Sequence, residues 1–294
     1  MDLVTISDRF PKGGETVFGS EFFTGFGGKG ANPCVMAARL GAQASLVGKV
    51  GDDEHGRVYK QHLEAEGVDI RWVLTEKNVT TGIATIQVES STGENKIVIV
   101  PGANNLLTPQ DVFDAEETIK GCSVLSTVLE IKPEVVLTAL KLGQKHGVRT
   151  VLNAAPARAD LAPEILENTD ILVLNQTEAE IISGITGKWQ VTTAKLKEIG
   201  CKNIIVTLGS EGAVLLQEKR DPLLIPAPKV DEVVDTTGAG DAFVGSLVYF
   251  LLQNIYNPDL PEVVRKACAL ASFTVGKKGT QSSYPHRDLV THLL

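Results

Sequence analysis

The chain lacks any close pair of cysteines: Cys34, Cys122, Cys201 and Cys268 stand far apart. That spacing excludes a zinc knuckle and a disulfide framework, and it fits a reducing compartment. The four read most simply as small buried apolar residues. No apolar run reaches the roughly 18 residues that a membrane span needs. The opening Met1-Asp2-Leu3-Val4-Thr5-Ile6 has neither the basic stretch nor the apolar core of a secretory signal. Blocks of Lys and Arg are absent too, and the net charge is −8, so neither nucleic acid nor an anionic membrane is an expected partner. A cytoplasmic location is expected, with nuclear presence left open. What remains is ordinary globular composition, 43% hydrophobic and 22% charged over 294 residues. That is enough for one large α/β domain or two small ones. An anionic ligand would have to be held by local donors.

Strand-like and helix-like segments alternate from about residue 29. Ala31 to Leu40 reads as a helix stopped by Gly41, Ser45 to Val50 as a buried strand, and Asp53 to Glu66 as a helix stopped by Gly67. Strands follow over 122–129, 149–152, 171–174 and 203–208, with helices over 133–146, from about Glu178, over 241–253 and over 261–275. This rhythm predicts a mostly parallel sheet with helices on both faces. Residues 14–27 and 80–101 break it with short alternating strands, including a hairpin turning at Ser91-Thr92-Gly93-Glu94-Asn95. The two pieces suit a small β-sheet that covers a site, with an apolar face fit for a dimer contact.

The densest chemistry lies in Asp235-Thr236-Thr237-Gly238-Ala239-Gly240-Asp241, which runs directly into an apolar helix. A loop without bulk exposes backbone N–H groups at a helix N-terminus, where unpaired donors and the dipole attract anions. Asp241 in that first turn adds a carboxylate base. An anion cradle beside a base is what phosphoryl transfer to an alcohol requires. A first-turn acid needs no special role by itself; the bulk-free run before it favours function.

Other segments carry two readings. Gly25-Phe26-Gly27-Gly28-Lys29-Gly30 satisfies G-x-G-x-x-G, with Asp52 22 residues past Gly30, so a dinucleotide fold competes. The preceding Phe18 to Thr24 is not the apolar buried strand which that fold needs. Asn175 and Glu178 follow an apolar strand and suit either water-mediated binding of phosphate-bound Mg²⁺ or a helix cap. Thr207-Leu208-Gly209-Ser210-Glu211-Gly212 is either a nucleotide-facing loop or a tight turn. Glu130 is a sugar-hydroxyl acceptor or a solvated loop acid.

Gly27-Gly28-Lys29-Gly30-Ala31-Asn32 together with the 235–241 run resembles the pfkB family of carbohydrate kinases, and within it the ribokinase group. The likeness covers essentially the whole chain, including Asn175/Glu178, Thr207 to Ser210 and the tail Lys278 to Pro285. It implies a ribokinase-like three-layer α/β/α fold over residues 1–294, with a small β-sheet lid built from segments 3–27 and 79–101. It implies ATP-dependent phosphorylation of the ribose 5-hydroxyl, with another sugar or nucleoside as the alternative acceptor. Asp241 becomes the base, with the amides of Gly238, Ala239 and Gly240 as the anion hole. Asp2, Gly28, Lys29, Gly30, Asn32 and Glu130 become sugar contacts. Asn175, Glu178, Thr207, Gly209, Ser210, Gly212, Gly240 and Cys268 become the ATP side. K⁺ falls to Asp235, Thr237, Thr274, Lys277, Gly279 and Ser283, with Mg²⁺ accompanying ATP and a homodimer joined through the lid. The chain departs from the family in three places. It carries Pro33 after Asn32 and Cys268 near the adenine position, and it lacks the apolar strand that precedes the family's sugar-binding aspartate. The expected result of the last departure is unpaired strand edges, and with them impaired stability or catalysis.

Overall fold

The computed structural model describes residues 1–218 and 220–293. In chain order the strands are β1 (Asp2–Ser7), β2 (Gly19–Gly25), β3 (Ser45–Gly51), β4 (Asp69–Glu76), β5 (Ile83–Glu89), β6 (Asn95–Val100), β7 (Val124–Val128), β8 (Arg149–Asn153), β9 (Ile171–Asn175), β10 (Asn203–Thr207), β11 (Ala213–Leu216) and β12 (Leu223–Ile225). The helices are α1 (Ala31–Leu40), α2 (Glu54–Ala65), α3 (Pro109–Asp114), α4 (Glu116–Lys120), α5 (Pro133–Lys145), α6 (Pro163–Glu167), α7 (Gln176–Ser183), α8 (Trp189–Glu198), α9 (Ala239–Gln253) and α10 (Leu260–Thr274).

The central sheet runs β12-β11-β10-β9-β8-β7, parallel from β7 to β10 and antiparallel beyond. Its strands are apolar on both faces because helices cover both. Ile171 and Val173 point to α1, α9 and α10, whereas Leu172 and Leu174 point to α5, α6, α7 and α8. This is the expected three-layer α/β/α arrangement. It fixes the C-terminal ends of β7, β9 and β10 along one edge, where ligands of such sheets gather.

A second sheet, β2-β1-β5-β6, joins the two segments that broke the sequence rhythm. β1 pairs antiparallel with β2 and parallel with β5, so Phe23, Val4, Ile86 and Ile97 line up across it. β2 is an exposed strand of this outlying sheet rather than a buried parallel one. The dinucleotide reading of Gly25 to Gly30 therefore fails. Gly51, at the end of β3, packs against the segment that leads into β5: a Cβ there would lie 2.2 Å from the Val79 carbonyl oxygen.

β3 and β4 form a separate parallel pair. Among the described residues β3 ladders with β4 alone and β7 with β8 alone. One cavity of about 320 Å³ is lined both by Leu46 to Val50 of β3 and by Val128 at the end of β7.

Candidate active site

α9 begins where Gly238 turns left-handed, at φ 76°. A Cβ on Gly238 would sit 2.5 Å from Thr280 Cγ2, so only glycine lets the loop pack against the tail. The Tyr284 hydroxyl donates to the Gly238 carbonyl at 3.0 Å and fixes the turn from behind. Three residues on, Asp241 is 7% exposed in the first turn of α9. Its Oδ2 accepts a hydrogen bond from Asn32 Nδ2 at 2.8 Å. Burial raises the Asp241 carboxyl above its ordinary range, against the pull of the nearby Lys29 charge and the Asn32 bond. Of the anion-hole amides, Ala239 already donates to the Thr236 carbonyl at 3.3 Å.

The residues expected to contact the sugar converge on the same place from other elements. α1 begins after Gly28, whose φ of 107° requires glycine, and the Asn32 N–H donates to the Gly28 carbonyl. A Cβ on Gly27 would strike the Asp2 carboxylate, with Oδ2 2.2 Å away, so β1 and the α1 entry touch there. Glu130, just past β7, accepts from the Lys29 amide at 2.8 Å. Burial raises both the Glu130 and the Asp2 carboxyls, and the charges of Asp241 and Asp2 push Glu130 further. Asp2, Gly28, Gly30 and Glu130 all line the cavity bounded by β3 and the end of β7. Asn32 is 3% exposed and its Oδ1 is occupied by Gln281 Nε2 at 2.9 Å. That leaves one amide hydrogen of Asn32 for a ligand.

Of the residues expected on the ATP side, Asn175 ends β9 and pairs in register with Thr207 at the end of β10. Asn175 and Glu178 form a capping box on α7, each side chain accepting the other's backbone N–H at 2.8 Å. The helix-cap reading is thus real. Burial raises Glu178, and it feels both the Lys29 and Asp241 charges, so it also faces the site. Gly209 has φ 60°; a Cβ on Gly212 would meet the Ile225 carbonyl oxygen at 2.1 Å, which makes Gly212 a packing glycine between β11 and β12. Ser210 is exposed in that turn. Cys268 is 4% exposed within the core cluster of α9 and α10, and burial pushes its thiol up to about 11.

Asp235 joins two loops. Its Oδ1 accepts from the Thr237 amide at 2.9 Å and its Oδ2 from the Gly279 amide at 2.8 Å. Thr274 and Ser283 have internal partners, their hydroxyls donating to Ala271 and Thr280 carbonyls. The Thr274 carbonyl accepts from the Lys277 amide. Among the described residues no group of His, Cys, Asp and Glu is arranged as a metal cluster.

A pfkB family carbohydrate kinase model matches residues 1–287. The chain belongs to the pfkB family of carbohydrate kinases. Within this family it is 42% identical over 291 residues to the ribokinase of Mus musculus, covering 97% of this chain and 89% of the mouse protein. It is also 37% identical to the deoxyribokinase of Salmonella typhi, covering 97% and 92%. The solved structure of Arabidopsis thaliana ribokinase complexed with ribose and ATP superposes at a TM-score of 0.89, with 30% identity and coverage of 99% and 95%. The fold is accordingly ribokinase-like, as the sequence led us to expect.

The residues that sequence reasoning missed are Tyr59, His62 and Gln281. Tyr59 and His62 lie three apart on α2, a polar spacing on one helix face, and Gln281 sits in a polar tail. The Tyr59 hydroxyl donates to the Gly27 carbonyl at 2.6 Å, and Phe26 stacks on the His62 ring.

Proposed function

We propose that this pfkB-family kinase transfers the γ-phosphoryl group of ATP to the 5-hydroxyl of D-ribose, giving ribose 5-phosphate. The observation that carries the reading is Asp241: a buried carboxylate at the N-terminus of α9, oriented by Asn32 and ringed by Asp2, Lys29 and Glu130. The similarity to ribokinases over nearly the whole chain supports ribose as acceptor. Asp2, Asn32 and Glu130 hold the sugar hydroxyls, and Lys29 offsets the negative charge gathered there. Asp241 Oδ1, the oxygen not bonded to Asn32, takes the proton as the 5-oxygen attacks. The backbone of Gly238 to Gly240 and the α9 dipole stabilise charge on the transferring group.

The ends of β9 and β10, with Asn175, Thr207, Gly209 and Ser210, form the ATP side. Glu178 and Asn175 suit a hydrated Mg²⁺, which when bound supplies charge neutralisation on the phosphates. The Asp235 carboxylate and the carbonyls of Thr237, Thr274, Lys277 and Gly279 make an all-oxygen set of single charge, fit for K⁺. A K⁺ held by these oxygens would supply positive charge to the loop that carries the anion cradle. The outlying sheet acts as a lid, and its apolar face joins two copies.

A panel of ribose, 2-deoxyribose, fructose and adenosine, scored by acceptor-dependent ADP release, tests the assignment. Ribose is expected to give the highest kcat/KM; equal or better turnover of another acceptor overturns it. Deoxyribose is the sharpest competitor because a deoxyribokinase is 37% identical. Exchanging K⁺ for Na⁺ in the same assay is expected to lower the rate; an unchanged rate removes the cation assignment.

A further inference from the structure

A chain of hydrogen bonds leads from the backbone at Gly27 to the catalytic carboxylate, and its polarity is determined at every link. The Gly27 carbonyl can only accept, so the Tyr59 hydroxyl spends its one hydrogen there, at 2.6 Å. Whatever lies on the other side of the Tyr59 oxygen must donate. That group is Gln281 Nε2, at 3.2 Å. The Gln281 amide sense is thereby fixed: Oε1 faces His62 Nε2 at 2.7 Å, and the second Nε2 hydrogen faces Asn32 Oδ1 at 2.9 Å. Asn32 must then turn its Nδ2 to Asp241 Oδ2 at 2.8 Å. His62 must carry its hydrogen on Nε2 to serve the Gln281 oxygen.

We propose that Gln281, oriented by Tyr59 and His62, is a positioning residue that fixes the amide sense of Asn32 and through it directs proton uptake to one oxygen of Asp241. If Asn32 were flipped, its carbonyl oxygen would face a carboxylate oxygen, and Asp241 would have to hold a proton to bond it. A protonated Asp241 is no base. The correct sense keeps the carboxylate ionised, reserves Oδ2 for Asn32 and leaves Oδ1 to receive the sugar proton. Gln281 touches neither the sugar nor Asp241; it acts through Asn32 alone. It is itself held by Arg39, whose guanidinium donates to the Gln281 carbonyl at 2.5 Å and pairs with Glu66 beside His62. The titratable groups whose charges act on Asp241 or that respond to its charge are Lys29, Asp2, Glu130, Glu178 and Tyr284. None of them belongs to the relay.

The test is the pH dependence of kcat/KM for ribose in Gln281→Glu and Gln281→Met. Gln281→Glu places an acceptor against Asn32 Oδ1 and favours the flipped amide. Its acid limb is expected to move up by about one pH unit, because one hydrogen bond to the ionised carboxylate is lost. Gln281→Met removes the polarity without reversing it and should move the limb less, in the same direction. A purely structural role would lower the melting temperature or the active fraction and leave the limb in place; that result in a folded variant overturns the proposal. In the unmutated protein, ¹⁵N NMR of His62 gives a check that needs no variant. The Nε2–H form is expected, and the Nδ1–H form at neutral pH overturns it.

Discussion

Asp241 carries opposite demands. The proposed role as base needs it ionised, but its burial favours the neutral form. A carboxyl whose folded pKa lies above its unfolded value of 3.8 binds protons more readily when folded, so it favours folding fully only below that value. The contribution is lost as pH rises through the raised native value. Asp241→Asn is therefore expected to lower turnover by about 10²–10⁴-fold and yet to raise the melting temperature at pH 7. The gain should shrink to nothing below about pH 4. Thermal melts of both proteins across that range, alongside ADP release, check both halves. Asp2 and Glu130 are raised for the same cause, so the site as a whole gives up stability to keep its carboxylates in place.

Among the elements, the α9 entry shows what the sequence could and could not reveal. Its small-residue run and following apolar helix were legible because helix starts, stops and periodicity are local. The same locality located α1, ended by left-handed Gly41, and α5, begun by Pro133. The helix α8, with no side-chain cap at Lys188, offered no such start signal and went unread. So did β11 and β12, which are strands by their neighbours rather than by their ends. The relay into Asp241 was invisible for a stronger reason: Gln281 and Asn32 are 249 positions apart, and only the fold brings their amides together. The α9 entry also makes a sharp prediction. Gly238→Ala adds a Cβ in a left-handed conformation against Thr280 and Tyr284. It should cost about 1–3 kcal/mol of stability and reduce kcat more than KM. Urea denaturation and steady-state kinetics measure the two effects.

For the whole molecule, the outlying sheet carries a contiguous share of the exposed apolar surface, with Phe22, Phe23 and Ile97 to Val100 on its strands. Phe23 and Ile97 are 42% and 50% exposed, and they flank Val4 and Ile86 in one row across its strands. Ile99 extends that face beside Asp2 and Ala84, which line the cavity between β3 and β7. An apolar face that starts at the site and continues past it suits a second copy. Ile97→Lys should weaken self-association by about 100-fold, since a lysine buried there has no partner. Sedimentation velocity reads this directly, and a parent protein that is already monomeric at micromolar concentration removes the dimer proposal.

The cavity between β3 and β7 has a consequence for the order in which interior protons meet solvent. The centre of a parallel sheet ordinarily exchanges its amide hydrogens slowest, because each strand is locked on both sides. Here, among the described residues, β3 and β7 are each laddered on one side alone. The most protected amides should lie off-centre, in β8, β9 and β10 and along α9. Those on the cavity-facing edges of β3 and β7 should exchange with the ease of a peripheral strand.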